Sequence, residues 1–106
     1  MVIRWHPRAL GMVRIIHDFY SEKSKRTAEQ IVQRIFHAVD KLESFPWMAP
    51  VEALLTGRAE EYRSLIVRKM FKVIYFIHES SAEVVIVAVV DCRRNPEKLK
   101  HSMDES

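Results

Sequence analysis

Three segments in the second half of the chain, rich in valine, isoleucine and aromatic residues, limit the folds open to it. They run over Tyr62–Lys69, Phe71–His78 and Val84–Cys92, and such composition is typical of β-strands. The connections between them, Lys69–Met70 and Glu79–Glu83, are short. Because a parallel pair of strands needs a crossover of a dozen or more residues, the sequence predicts an antiparallel three-stranded meander.

The first half of the chain has the periodicity of helices. Pro7 suits the first turn of a helix over Arg8–Tyr20, and Ser24 or Thr27 suits the cap of a second helix. The second helix ends before Pro46, because the residue before a proline disfavours helical geometry. Its apolar stripe consists of Ile31, Val32, Ile35, Phe36, Val39 and Leu42. This stripe is expected to pack on the sheet.

A short strand over Val2–His6 precedes the helices, so the predicted order is β-α-α-β-β-β. Two helices followed by a meander favour an α+β fold, with the helices packed on a mainly antiparallel, twisted sheet. The first strand has to join this sheet, at a position that the sequence does not specify. A loop over Pro46–Gly57 and a last helical turn over Glu97–His101 complete a single domain of 106 residues.

Composition removes several classes of protein. The single cysteine, Cys92, excludes a disulfide framework and a site made of cysteines alone. The five histidines show no metal-ligand spacing, so we expect neither a metal nor a cofactor. The longest apolar run, Val84–Val90, is too short to span a bilayer, which favours a soluble, cytoplasmic protein. The net charge of +3 permits an acidic partner, either nucleic acid or an acidic protein segment, without requiring one.

Basic residues recur near the ends of the predicted strands. They are Arg63, Arg68, Lys69, Lys72, Arg93 and Arg94. One interpretation is that they are solvated charges that protect the sheet edges against aggregation. The other is that they converge into one basic patch, with Arg63, Lys72 and Arg93 in a shared groove.

Three stretches of the chain resemble the RelE/ParE toxin superfamily. They are the hairpin over Tyr62–Ile77, the last strand over Val89–Pro96, which has an Asp-Cys-Arg-Arg-Asn-Pro sequence, and the opening over Val2–Ala9. Their order and spacing follow the predicted elements. The resemblance implies the toxin of a type II toxin-antitoxin system, with a cognate antitoxin as partner. It also implies that the toxin-antitoxin complex binds operator DNA through the antitoxin.

The superfamily has two activities, and the first interpretation is RelE-like cleavage of mRNA on the ribosome. Such cleavage needs fixed cations around the phosphate and a proton for the leaving oxygen. The resemblance implies that Arg63 and Lys72 are catalytic cations and that Arg93 or Arg94 grips the phosphate. It further suggests RNA contacts from Arg68, Lys69 and Lys98.

The second interpretation is ParE-like inhibition of DNA gyrase, which needs no catalysis. It is favoured by departures from the RelE pattern, since Leu65, Asp91 and Leu99 stand where many relatives have lysine, histidine and tyrosine. A degenerate module that only binds antitoxin is the third hypothesis. Asp91 is instead expected to pair with a neighbouring arginine.

Two further side-chain placements follow from the sequence. The ring of Tyr75 is expected to face the core. Trp47 and Met48 are expected to plug the junction between helices and sheet, with an exposed anchor for a partner as the alternative.

Overall fold

The computed structural model describes residues 1–94 and has the predicted order of elements. Its helices and strands are β1 (Val2–Trp5), α1 (Pro7–Ser21), α2 (Lys25–Asp40), β2 (Arg63–Val67), β3 (Phe71–His78) and β4 (Glu83–Asp91). The predicted helical turn over Glu97–His101, and with it Lys98, lies outside the described residues.

Local side-chain chemistry fixes where the helices begin. The ring of His6 accepts a hydrogen bond from the backbone N–H of Arg8 at 3.1 Å, just before Pro7 opens α1. The hydroxyl of Ser24 accepts one from the N–H of Thr27 at 3.2 Å, which identifies Ser24 as the cap of α2. A short 3-10 turn, Lys41–Glu43, follows α2 directly, so the helical segment stops before Pro46 as predicted.

The four strands form one mixed sheet in the order β1-β4-β3-β2. The meander β2-β3-β4 is antiparallel, as the short connections predict. The sequence did not specify the place of β1, which lies parallel to β4 at the sheet edge. A register shift between Ile74 and Tyr75 interrupts the β3–β4 pairing and adds local twist.

The two faces of the sheet are covered by different parts of the chain. Helices α1 and α2 pack on one face, here called the helix face, where Phe71, Val73 and Tyr75 of β3 are fully buried. On the opposite face Ile74 packs against Leu55, which belongs to the segment between α2 and β2. Both faces of the central strands are therefore covered.

That segment reaches the opposite face by crossing the free edge of β2. Val51 forms an isolated antiparallel bridge with Arg63. The N–H of Glu52 donates to the carbonyl of Tyr62 at 2.8 Å, and the N–H of Ser64 donates to the carbonyl of Pro50 at 3.0 Å. The crossing satisfies edge groups of β2 that would otherwise be open to another strand.

Candidate functional site

Arg63 lies on the helix face, because it pairs with the core residue Tyr75 across β2 and β3. Its guanidinium donates to the carbonyl of Ala49 at 2.7 Å and pairs with the carboxylate of Glu61 at 3.2 Å. It also lies over the ring of Trp47, at 5.1 Å from the ring centroid. With its side chain only 16% exposed, Arg63 holds the loop after α2 in place.

The loop that Arg63 holds carries exposed apolar side chains. Trp47 and Met48 are each about half exposed, so they do not plug the junction as predicted. Their exposure fits the alternative, but their role as an anchor for a partner stays a prediction. The ring of Tyr75 is fully buried, as predicted. Its hydroxyl donates to the carbonyl of Pro46 at 2.7 Å, so the exposed side chains stand on a fixed backbone.

Lys72 lies on the opposite face of the sheet, beneath the segment that crosses β2. Its ammonium group donates to the carboxylate of Glu52 at 2.5 Å, and Glu52 is only 6% exposed. Burial by itself raises the pKa of this carboxyl, but hydrogen bonds from Lys72, the N–H of Leu54 and Ser64 outweigh burial and lower the pKa. The charge of Lys72 is thus neutralised inside the protein.

Asp91 ends β4 on the helix face, and its partner differs from the predicted one. The hydroxyl of Tyr20 donates to its carboxylate at 2.5 Å, and the backbone N–H of Arg93 donates to the other oxygen at 3.1 Å. Within residues 1–94 no arginine side chain forms an ion pair with Asp91, so that prediction is wrong. Burial and the hydrogen bond to Asp91 raise the pKa of Tyr20 to about 12.

The two arginines after β4 extend from this end of the strand. The guanidinium of Arg94 lies 3.9 Å from the ring centroid of Phe19 on α1, a cation–π geometry. The side chain of Arg93 is exposed. Neither arginine is near Arg63, because β3 separates β4 from β2.

The predicted common groove for Arg63, Lys72 and Arg93 is therefore wrong in its geometry. Arg63 pairs with Tyr75, and Lys72 pairs with Ile66. Since neighbouring residues of a strand point to opposite faces, this register sends Arg63 and Lys72 to opposite sides of the sheet. One phosphate cannot contact both of these side chains.

A different set of polar residues does line one concave surface, between α2 and the β2–β3 turn. The groove has a volume of about 600 Å³, and it is called here the α2–turn groove. It is lined by Gln30, Gln33, Arg34, His37 and Arg68. Of these, only Arg68 was predicted to be functional. The signal for the others was their spacing, i, i+3, i+4 and i+7, along one polar face of α2.

Other kinds of site find no support in the part of the chain that the structure describes. No group of three or more His, Cys, Asp or Glu side chains there is placed to hold a metal ion. Burial raises the pKa of the Cys92 thiol, the reverse of what an activated nucleophile needs. None of the described helices combines the length and the apolar character required to cross a membrane.

Comparison with known proteins identifies a family and a solved structure of similar fold. The protein-family model described as ParE toxin of type II toxin-antitoxin system, parDE, matches residues 3–96. A solved structure described as the chromosomal ParDE TA system from P. aeruginosa is similar, with 20% sequence identity and a TM-score of 0.71. The match covers 86% of this chain and 95% of that chain. No curated protein matches the sequence.

Proposed function

Since the chain belongs to the ParE toxin family of type II toxin-antitoxin systems, we propose that it inhibits DNA gyrase by binding and does not cleave mRNA. That the chain is a toxin follows from the family. The choice of gyrase as its target is our proposal, and it places gyrase inhibition ahead of the mRNA cleavage that the sequence favoured.

The separation of Arg63 from Lys72 carries the proposal. A ribonuclease has to fix several cations around one phosphate as negative charge develops there. These two cations lie on opposite faces of the sheet, and each already has a carboxylate partner, Glu61 and Glu52 respectively. Moving Lys72 onto a phosphate would leave the buried carboxylate of Glu52 without its cation, which is unfavourable. A binding protein has no such requirement.

The loop after α2 supports binding as the mode of action. Phe45, Trp47 and Met48 are each at least half exposed, and the contacts of Arg63 and Tyr75 fix the loop that carries them. Aromatic residues, methionine and arginine are enriched at protein interfaces, and rigid anchors lose little conformational entropy on binding. These features suit a surface that recognises another protein.

A type II toxin-antitoxin system implies a cognate antitoxin as the second partner. We propose that the antitoxin neutralises this toxin by direct binding and that their complex contacts operator DNA through the antitoxin. The purified complex should then prefer operator DNA to a duplex of scrambled sequence. Toxin that has been stripped of antitoxin should show no such preference.

A supercoiling assay tests the target. Purified gyrase and relaxed plasmid are incubated with increasing toxin, and supercoiling is expected to stop and to resume when antitoxin is added. In parallel, the toxin is added to ribosomes translating a defined mRNA, which is expected to stay intact. Normal supercoiling at a large molar excess of folded toxin, or cleavage of the ribosome-bound mRNA, would overturn the proposal.

A matched variant sharpens this assay. The double substitution Lys72→Met and Glu52→Gln removes the cation assigned to cleavage together with its buried partner, so no unpaired charge remains. Gyrase inhibition by this variant is expected to equal that of the wild type. If the toxin worked by cleaving mRNA with Lys72, the double variant would lose translation inhibition.

A further inference from the structure

The α2–turn groove is a basic surface that the proposed contact with gyrase does not use. Among the residues that the structure describes, its lining contains two arginines and no carboxylate. Neither Arg34 nor Arg68 forms an ion pair with any residue of the described chain. Two exposed cations on one concave surface, without a counter-charge, attract an anionic ligand.

We propose that this groove binds the sugar-phosphate backbone of nucleic acid. The identity of that nucleic acid rests on the proposed function: it is the DNA duplex on which gyrase acts. The toxin would then contact gyrase and its DNA together.

The lining residues on α2 cover a length over which a strand of duplex DNA carries several phosphates. Gln30 and His37 lie seven residues apart on α2, which corresponds to about 10 Å along a helix axis. One strand of a duplex carries about three phosphates over such a length, at about 3.4 Å each along the axis. Glutamine, arginine and histidine side chains all donate hydrogen bonds to phosphate oxygens.

The backbone at the tip of the β2–β3 hairpin gives an independent indication. Arg68 and Lys69 have φ of 55° and 61°, a left-handed conformation in which asparagine and glycine are favoured. The N–H of Met70 donates to the carbonyl of Val67 at 3.2 Å and closes the turn. Arginine and lysine are both less favourable than glycine or asparagine in this conformation, and backbone strain of this kind clusters at binding sites.

The lining favours nucleic acid over an acidic protein segment. A protein partner gains most of its affinity from apolar anchors in desolvated pockets, whereas the lining residues of this groove within the described chain are all polar or charged. Interfaces with nucleic acid are more polar and more positive than those between proteins. None of the exposed large apolar residues in the described part of the chain, Trp47 included, lines this groove.

Fluorescence anisotropy with a labelled DNA duplex of random sequence tests the site. At about 0.1 M salt, Arg34→Gln and Arg68→Asn are each expected to weaken binding by the full-length toxin by up to about tenfold. Each is also expected to reduce the slope of log affinity against log salt by about 1. Arg14→Gln is the matched control, because Arg14 is exposed on α1 and does not line the groove.

Arg68→Asn also separates a loss of binding from a loss of folding. Asparagine accepts the left-handed conformation more readily than arginine, so the variant is expected to melt at the same temperature as the wild type or higher, while its DNA affinity falls. Binding to DNA that both variants leave unchanged would overturn the proposal. So would equal competition for the groove by a polyglutamate peptide of matched charge.

Two further arms distinguish this proposal from the proposed function. A single-stranded RNA that binds the groove more tightly than the duplex would overturn the assignment to DNA. In the supercoiling assay, wild-type toxin that binds DNA through the groove without inhibiting gyrase contradicts the proposed function alone. If Arg34→Gln and Arg68→Asn inhibit gyrase and bind DNA as well as the wild type does, only the proposal that the groove binds DNA is contradicted.

Discussion

The ammonium group of Lys72 donates a hydrogen bond to the buried carboxylate of Glu52, and this contact joins the centre of the sheet to the segment that crosses its edge. Lys72 lies on β3, beside Ile74 of the opposite-face core. Glu52 is the cap of a short 3-10 turn, Ala53–Leu55, which brings the buried Leu55 onto that core. The Lys72–Glu52 pair thus holds in place the segment that covers the face of the sheet opposite the helices.

Lys72→Ala is expected to lower the free energy of unfolding by about 3 kcal/mol, because it leaves the carboxylate of Glu52 buried without its cation. Lys72→Met combined with Glu52→Gln is expected to cost much less, since no unpaired charge remains. Urea denaturation of the wild type and both variants measures the difference. Equal losses in the single and double variants would contradict the contribution assigned to the pair.

The lowered pKa of Glu52 also leads us to expect that the free energy of unfolding falls in acid. The pKa of its carboxyl is lowered in the folded protein from an ordinary value of 4.5. Its contribution is therefore fully present above about pH 4.5 and is lost as pH falls through the folded pKa. The difference in free energy of unfolding between the wild type and the Lys72→Met, Glu52→Gln variant is expected to change in this range and to stay constant from pH 6 to 8. A difference that is independent of pH below about 4.5 would contradict it.

The elements of the fold could be predicted from local sequence, because each one has a local cause. Ser24 caps α2 within its own first turn, and short connections dictate the antiparallel meander. The pairing of β1 with β4 has no local cause, since its two strands are separated by about 80 residues of chain. It depends on how α1 and α2 pack, which periodicity does not specify.

The candidate site was harder to predict because it depends on strand register. Side chains of one strand can be assigned to two faces from sequence, but which face of β2 matches which face of β3 requires the pairing. Arg63 pairs with Tyr75, and Lys72 pairs with Ile66, so the two cations diverge. The groove beside α2 was missed for a related reason: Arg68 joins Arg34 only in three dimensions.

Arg63 is expected to act as a clamp on the loop after α2 and not as a catalytic cation. Arg63→Ala removes the hydrogen bond to the carbonyl of Ala49 and the cation–π contact with Trp47, at a cost of about 1 to 2 kcal/mol in the free energy of unfolding. Arg63→Lys is expected to restore little of this, because an ammonium group cannot reproduce the planar, forked geometry of a guanidinium.

Tryptophan fluorescence measures the clamp directly. In a Trp5→Phe background Trp47 is the only tryptophan, and its emission is expected to shift to the red when Arg63 no longer covers the ring. Arg14→Ala is the control, since Arg14 is exposed on α1. Unchanged Trp47 emission in Arg63→Ala would show that the loop holds its conformation without the clamp.

Tyr20 is expected to stabilise the junction of α1 and β4 up to strongly alkaline pH. Tyr20→Phe keeps the edge-to-face ring contact with Phe71 but removes the hydroxyl that donates to Asp91, so it is expected to cost about 2 kcal/mol at neutral pH. The pKa of Tyr20 is raised from 10.0 to about 12. The contribution of the hydroxyl is therefore fully present below pH 10 and is lost as pH rises through about 12. Denaturation of the wild type and Tyr20→Phe is expected to show that their difference in free energy of unfolding is smaller above pH 10 than at neutral pH. A constant difference would mean that burial and the hydrogen bond to Asp91 do not hold the proton on Tyr20.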